Sequence, residues 1–167
     1  MPDFDVVDLP DIDHVEEGET APDFTRPLVN DEYWENRSLD ELTSEGRVLL
    51  VFHPMDGAFP TTYIYQNFAE RGFDADVDIV GVSVSSPYEH KTLLEEREGV
   101  EFRAFSDPSN EVAEAYGIDH DLDGMAGVSE PRPAVFLLDE GRDVEYAWVA
   151  EEWPSFPDYD AVEAAIR

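Results

Sequence analysis

The chain has 167 residues, 42% hydrophobic and 12% aromatic, which is apolar material enough for the core of one folded domain and argues against a disordered chain. Its 10 Lys and Arg stand against 41 Asp and Glu, a formal charge of −31, and this disfavours nucleic acid as a partner because phosphate binding needs clustered cations. It contains no cysteine, so disulfides are excluded, and no apolar run approaches the roughly 20 residues that span a bilayer.

In chain order, residues 1–17 are rich in Asp and Glu with scattered Val, Leu and Ile. They are expected to form an acidic arm in solvent, or else an arm against a neighbouring subunit. Residues 18–167 continue without a Pro/Gly/Ser linker or an internal repeat and are expected to form one domain. Ser38-Leu39-Asp40-Glu41 has capping-box spacing and predicts a short helix to about Glu45. The apolar run from Val48 to His53, closed by Pro54, predicts a strand buried on both faces. Ile64, Tyr65 and Phe68 lie at helical spacing in a helix predicted from Thr61 to Arg71, with Gly72 as its stop. Asp78 to Val84 predicts a strand, Pro87 to Glu98 a helix with Pro in its first turn, and Phe102 to Phe105 a short strand. Asp107-Pro108 predicts the start of a helix ending at Gly117. Ala134–Leu138 and Val144–Val149 flank the turn signal Asp139-Glu140-Gly141-Arg142, and Asp160 to Ile166 predicts a closing helix. Strands alternating with helices, then a hairpin and a last helix, predict an α/β fold with a mixed central sheet covered on both faces.

The acidic residues are spread along the whole chain. Their mutual repulsion is screened at molar salt, where the Debye length falls to about 3 Å. The composition is that expected of a salt-adapted cytoplasmic protein from a halophile, with an acidic surface for a basic partner as the alternative. Met1-Pro2-Asp3-Phe4-Asp5 has the wrong sign for a secretory signal.

One segment has metal-ligand spacing. Asp119, Asp121, Asp123, Gly124 and Glu130 satisfy D-x-D-x-D-G-x5-E, the loop that wraps hard oxygen ligands round calcium. Position 8 is Ala126, and Pro-Arg-Pro follows Glu130 where an exiting helix belongs. An acidic surface loop and a cation site outside a helix–loop–helix frame both remain open.

Four motifs carry a family resemblance: Gly18-Glu19-Thr20-Ala21-Pro22-Asp23-Phe24, Val80-Gly81-Val82-Ser83, Phe105-Ser106-Asp107-Pro108 with Ala115-Tyr116-Gly117, and Val135-Phe136-Leu137-Leu138-Asp139. In this order, over about residues 15–150, they resemble the peroxiredoxin (alkyl hydroperoxide reductase/thiol-specific antioxidant, redoxin) family. The resemblance implies a thioredoxin-like three-layer sandwich. It also implies a site built from a Pro, a Thr or Ser four residues later, a reactive Cys three after that, and a distant Arg. Pro54 matches; Ala58 stands at the hydroxyl position and Thr61 at the cysteine position. The Arg position falls on Pro133, with Arg132 one residue earlier, and Pro133 also occupies the place of the cis-proline of thioredoxins.

A hydroxyl has no accessible anion near neutral pH and no oxidation ladder like that of sulfur, so cysteine-type peroxidase chemistry is not expected. Thr61 is expected to cap its helix, accepting from a backbone N–H two or three residues on. A Thr61 nucleophile would need a base such as His53 or Asp56. Arg132 is expected to turn toward solvent or a carboxylate. Function then divides between a non-catalytic binding protein, a homo-oligomer or a hetero-oligomer with a cysteine-containing relative, and two alternatives. One is an antioxidant or oxidoreductase role whose thiol a partner supplies; the other is cation binding by the Asp119–Glu130 loop. Tyr63, Tyr65 and Trp153 are candidate contact residues.

Overall fold

Val48-Leu49-Leu50-Val51-Phe52 is fully buried on both faces, and the rest of the architecture is arranged round it. The computed structural model describes residues 6–96, 101–122 and 124–167. Its elements are β1 (Val7–Asp8), β2 (Thr25–Val29), β3 (Trp34–Ser38), α1 (Leu39–Thr43), β4 (Val48–Phe52), α2 (Phe59–Arg71), a 3-10 turn (Phe73–Ala75), β5 (Asp78–Ser83), α3 (Pro87–Glu96), β6 (Phe102–Ser106), α4 (Glu111–Tyr116), β7 (Asp119–His120), β8 (Glu130–Pro131), β9 (Ala134–Leu138), β10 (Val144–Val149), β11 (Glu152–Trp153) and α5 (Tyr159–Ile166). A seven-stranded sheet runs β10-β9-β4-β5-β6-β2-β3. The pairs β4–β5 and β5–β6 are parallel, joined through α2 and α3, and the remaining pairs are antiparallel.

Alternation along β4 divides the core. Val48, Leu50 and Phe52 pack with Leu39 and Leu42 of α1 and Val112, Ala113 and Tyr116 of α4. Leu49 and Val51 pack with Ile64, Tyr65 and Phe68 of α2, Leu93 of α3, and Val162 and Ile166 of α5. The expected three layers are present.

Local signals account for most boundaries. Ser38 and Glu41 form the full capping box of α1, and Gly72 and Gly117 end α2 and α4 in the left-handed conformation. The starts of α2 and α4 differ from expectation by two residues or more, and that of α5 by one. α2 begins at Phe59, because Pro60 suits a first turn and pulls the start two residues ahead of Thr61. α4 begins at Glu111, and Asp107 still caps it from further back, its Oδ2 accepting from the Val112 N–H at 2.8 Å.

The hairpin β2–β3 carries no strong sequence signal, since β2 holds Pro27 and β3 reads Trp-Glu-Asn-Arg-Ser. The acidic arm does not run free in solvent over residues 6–17. Val7 pairs with Trp153, Leu9 N donates to Glu151 O at 2.9 Å and Val15 N to Tyr116 O at 3.1 Å. Ile12 and Val15 supply its apolar contacts, and Gly117, at φ +77, leaves room for the Asp13 carbonyl that a side chain would strike.

Candidate functional site

The turn from β4 into α2 brings Pro54, Ala58 and Thr61 together. Ala58 is the N-cap residue of α2 and makes no side-chain cap, so Thr61 lies inside the first turn. Its hydroxyl does not cap the helix. It points back into the turn, donating toward Pro54 O at 3.1 Å and Met55 O at 3.3 Å, and the residue is 0% exposed. The expected cap fails because two prior residues open the helix and two carbonyls are nearer acceptors.

Thr61 Oγ1 also lies 3.5 Å from His53 Nδ1. That nitrogen is no base. It stands 2.8 Å from Pro54 O, and a carbonyl only accepts, so Nδ1 carries the proton and donates it there. Burial drives the His53 pKa down to about 4, His90 adds to the fall, and Asp56 and the Pro54 carbonyl oppose it. The ring is neutral near pH 7, with its bare nitrogen, Nε2, on the far side from Thr61. His53 Nδ1 therefore offers Thr61 no lone pair, and the Thr61 side chain is fully buried.

Asp56, 9% exposed, closes the same corner. Its Oδ2 lies 2.7 Å from His90 Nδ1, and its N–H donates to Ser85 Oγ at 3.0 Å. His90 Nε2 donates to Phe105 O at 3.0 Å, which leaves Nδ1 facing the Asp56 carboxyl group. Asp56 thus ties the loop after β4 to α3 and, through His90, to β6. Tyr65 lies beneath, stacked on Phe102 with centroids 4.0 Å apart. Its hydroxyl and His53 Nε2 are both fully buried and both face Gly81, where any side chain would collide with the tyrosine oxygen and press within 2.9 Å of Nε2. Burial, with Asp56 beside it, pushes the Tyr65 phenol well above its ordinary range.

Arg132 does not reach toward solvent or a carboxylate. It is 2% exposed and donates to Ala150 O at 3.2 Å and to Pro10 O of the arm at 2.7 Å. The arm lies across it and supplies a carbonyl in place of water. Pro133 follows through a trans bond; among the described residues the cis peptide is Trp153–Pro154.

The ends of the acidic loop are zipped together as β7 and β8, His120 opposite Glu130. Glu130 is 1% exposed and its Oε2 accepts from Met55 N at 2.9 Å, so the twelfth position of the motif is turned into the corner after β4. Asp119 and Asp121 are exposed, Asp123 lies outside the described residues, and among those described no group of three such side chains can hold a metal ion. The corner thus gains Glu130, which the sequence offers as a calcium ligand, and His90, which no sequence motif singles out. The Asp56–His90 pair spans 34 positions, and no local pattern marks it.

Comparison with known proteins places this geometry. Alkyl hydroperoxide reductase C of Buchnera aphidicola subsp. Baizongia pistaciae is 31% identical over 137 residues, covering 75% of this chain and 66% of that protein. A chloroplastic 2-cysteine peroxiredoxin of Chattonella marina var. antiqua is 26% identical over 141 residues, 79% of this chain and 69% of that one. The chain spans about two thirds of the length of these curated relatives. The crystal structure of peroxidoxin BcpB from Mycobacterium tuberculosis superposes with a TM-score of 0.74 at 24% identity, over 92% of this chain and 95% of that one, a likeness of fold. A model of the AhpC/TSA family matches residues 18–147. The chain belongs to the AhpC/TSA family, the peroxiredoxins, and carries its thioredoxin-like fold round a corner that holds no thiol.

Proposed function

We propose that this chain works by binding and not by thiol peroxidase chemistry, as a redoxin domain over residues 18–167 with residues 1–17 as an arm. The observation that carries the reading is the state of Thr61: 0% exposed, its hydroxyl spent on two backbone carbonyls and facing the protonated nitrogen of His53. The partner is a second copy or a cysteine-containing relative. The supporting surface is an aromatic cluster at the start of α2, where Phe59, Tyr63 and Phe156 lie with centroids 5.7–6.0 Å apart and Tyr63 is 38% exposed. Trp153 is half-buried, whereas Tyr65 is fully buried and drops out as a contact residue.

The purified chain, given hydrogen peroxide and a thiol reductant, is expected to consume peroxide at the background rate. Native mass spectrometry at high volatile salt is expected to show an oligomer that Tyr63→Glu weakens. Turnover above background that Thr61→Val abolishes would overturn the reading. The charge of −31 supports salt adaptation in a cytoplasmic setting, and Tm is expected to climb steeply from low to molar KCl. A flat response would assign the acidic surface to a partner.

A further inference from the structure

The strand β3 is an end strand of the seven-stranded sheet and, among the described residues, pairs only with β2. The phase of its ladder follows from the hydrogen bonds at either end. Asn30 N donates to Tyr33 O and Leu39 N to Phe24 O, both at 3.0 Å. Bonded and non-bonded pairs alternate in an antiparallel ladder, so with Val29 opposite Trp34 and Pro27 opposite Asn36, those two pairs are the non-bonded ones. Pro27, which has no N–H, fits that phase. The backbone N–H and C=O groups of Trp34 and Asn36 therefore point away from the sheet. The outward N–H of Ser38 is already taken by Glu41 Oε1 at 3.4 Å.

Beside this free edge stands an exposed aromatic group. Trp34 is 36% exposed, Tyr33 51% and Tyr88 of α3 71%, and the Trp34 and Tyr88 rings meet edge to face at 5.0 Å. These are three of the seven large hydrophobic residues exposed among those described. Open edges are usually blunted by lysine or proline. Here the only cation on the strand, Arg37, is folded onto Glu41 at 2.7 Å, with Glu35 and Glu45 at 3.6 and 3.8 Å. Asp31, Glu32 and Glu35 are exposed alongside. A second copy would bring the same carboxylates face to face; a cationic segment would be drawn in.

We propose that the β3 edge is a docking site for an extended, basic segment of a partner protein. The segment adds as a strand along Trp34–Asn36 and lays a Lys or Arg side chain over Trp34 and Tyr88. This surface stands apart from the α2 aromatic cluster and does not depend on it.

The test is a titration of the full chain, followed by amide NMR at one KCl concentration that keeps it folded, with the capped peptide Arg-Val-Arg-Val-Arg. A second peptide of equal charge, Arg-Gly-Arg-Pro-Arg, is a poor strand former and serves as the comparison. Shifts are expected to centre on the Trp34 and Asn36 amides and the Trp34 indole, with the first peptide binding at least about ten-fold tighter. Asn36→Pro removes an outward N–H without touching the internal ladder and is expected to abolish that advantage. The double variant Trp34→Ala/Tyr88→Ala is expected to weaken binding about ten-fold and gives the same reading should the proline disturb the hairpin. Shifts scattered over the acidic surface, equal affinity for the two peptides, or no binding would each overturn the proposal. So would a peptide-free dimer that Asn36→Pro dissolves, since the occupant would then be a second copy.

Discussion

The corner after β4 and the edge strand β3 each hold a carboxylate 2.7 Å from a nitrogen donor, Asp56 with His90 and Glu41 with Arg37. The contacts are equal in length and opposite in setting. The first pair has 7% and 0% side-chain exposure, the second 55% and 23%. Water and salt solvate the partners at the edge when the contact breaks, whereas nothing does so in the corner. Burial, not distance, decides what such a pair is worth. The same contrast makes the corner pair an internal tie between elements and leaves the edge pair open to competition from water and salt.

The contrast is broken most directly at Asp56. Asp56→Ala leaves His90 without a counter-group at 0% exposure and unties the loop from α3. It should cost about 3–5 kcal/mol in urea unfolding; a loss as small as that of a surface substitution would mean that the pair carries no strain when split.

Next comes pH. The folded His53 pKa of about 4 lies below the ordinary 6.5, so between these values the unfolded chain binds a proton that the folded chain refuses. Stability should rise with pH from about 4 to 6.5 and level off above, a contribution of roughly 3 kcal/mol. The carboxylates of this chain titrate in part of the same window, so the measurement is the wild type minus His53→Asn. Identical slopes in the two proteins would refute a buried neutral histidine.

Gly81→Ala sharpens the contrast by crowding the corner. The new methyl meets the Tyr65 hydroxyl and His53 Nε2 and should cost about 1–3 kcal/mol. Adding Tyr65→Phe removes the nearer oxygen and should restore part of the loss; strictly additive effects in that double-mutant cycle would place the strain elsewhere. The smallest effect belongs to the edge. Arg37→Ala should leave the unfolding midpoint essentially unmoved, because its contacts with Glu35, Glu41 and Glu45 are all solvent-exposed. A clear drop there would dissolve the comparison.

The central strand was legible because five consecutive apolar residues leave no face for water. The ends of α2 and α4 were legible because Gly72 and Gly117 take the left-handed conformation that ends helices, and the α1 cap because Ser38 and Glu41 have the right spacing. The β2–β3 hairpin was not, since Pro27 and the polar run of β3 suit an edge, and edge strands carry little hydrophobic pattern. Thr61 was legible as the residue in the cysteine position and His53 as its neighbour, but the Pro54 and Met55 carbonyls that accept from its hydroxyl were not.

The amino-acid sequence by itself determined that this peroxiredoxin fold has no thiol, and it determined that the β4 segment is buried, because both depend on residue type and on patterns a few residues long. Only the tertiary structure decided where each polar group of the corner finds its partner. Asp56 meets His90 across 34 positions, Glu130 meets Met55 across 75, and Arg132 meets Pro10 across 122. Those pairings follow from the parallel register of β4 on β5, the zipped ends of the acidic loop and the arm lying over Arg132. A hydrogen bond selects the nearest complementary group in space, and proximity of that kind is created by packing, which no local pattern records.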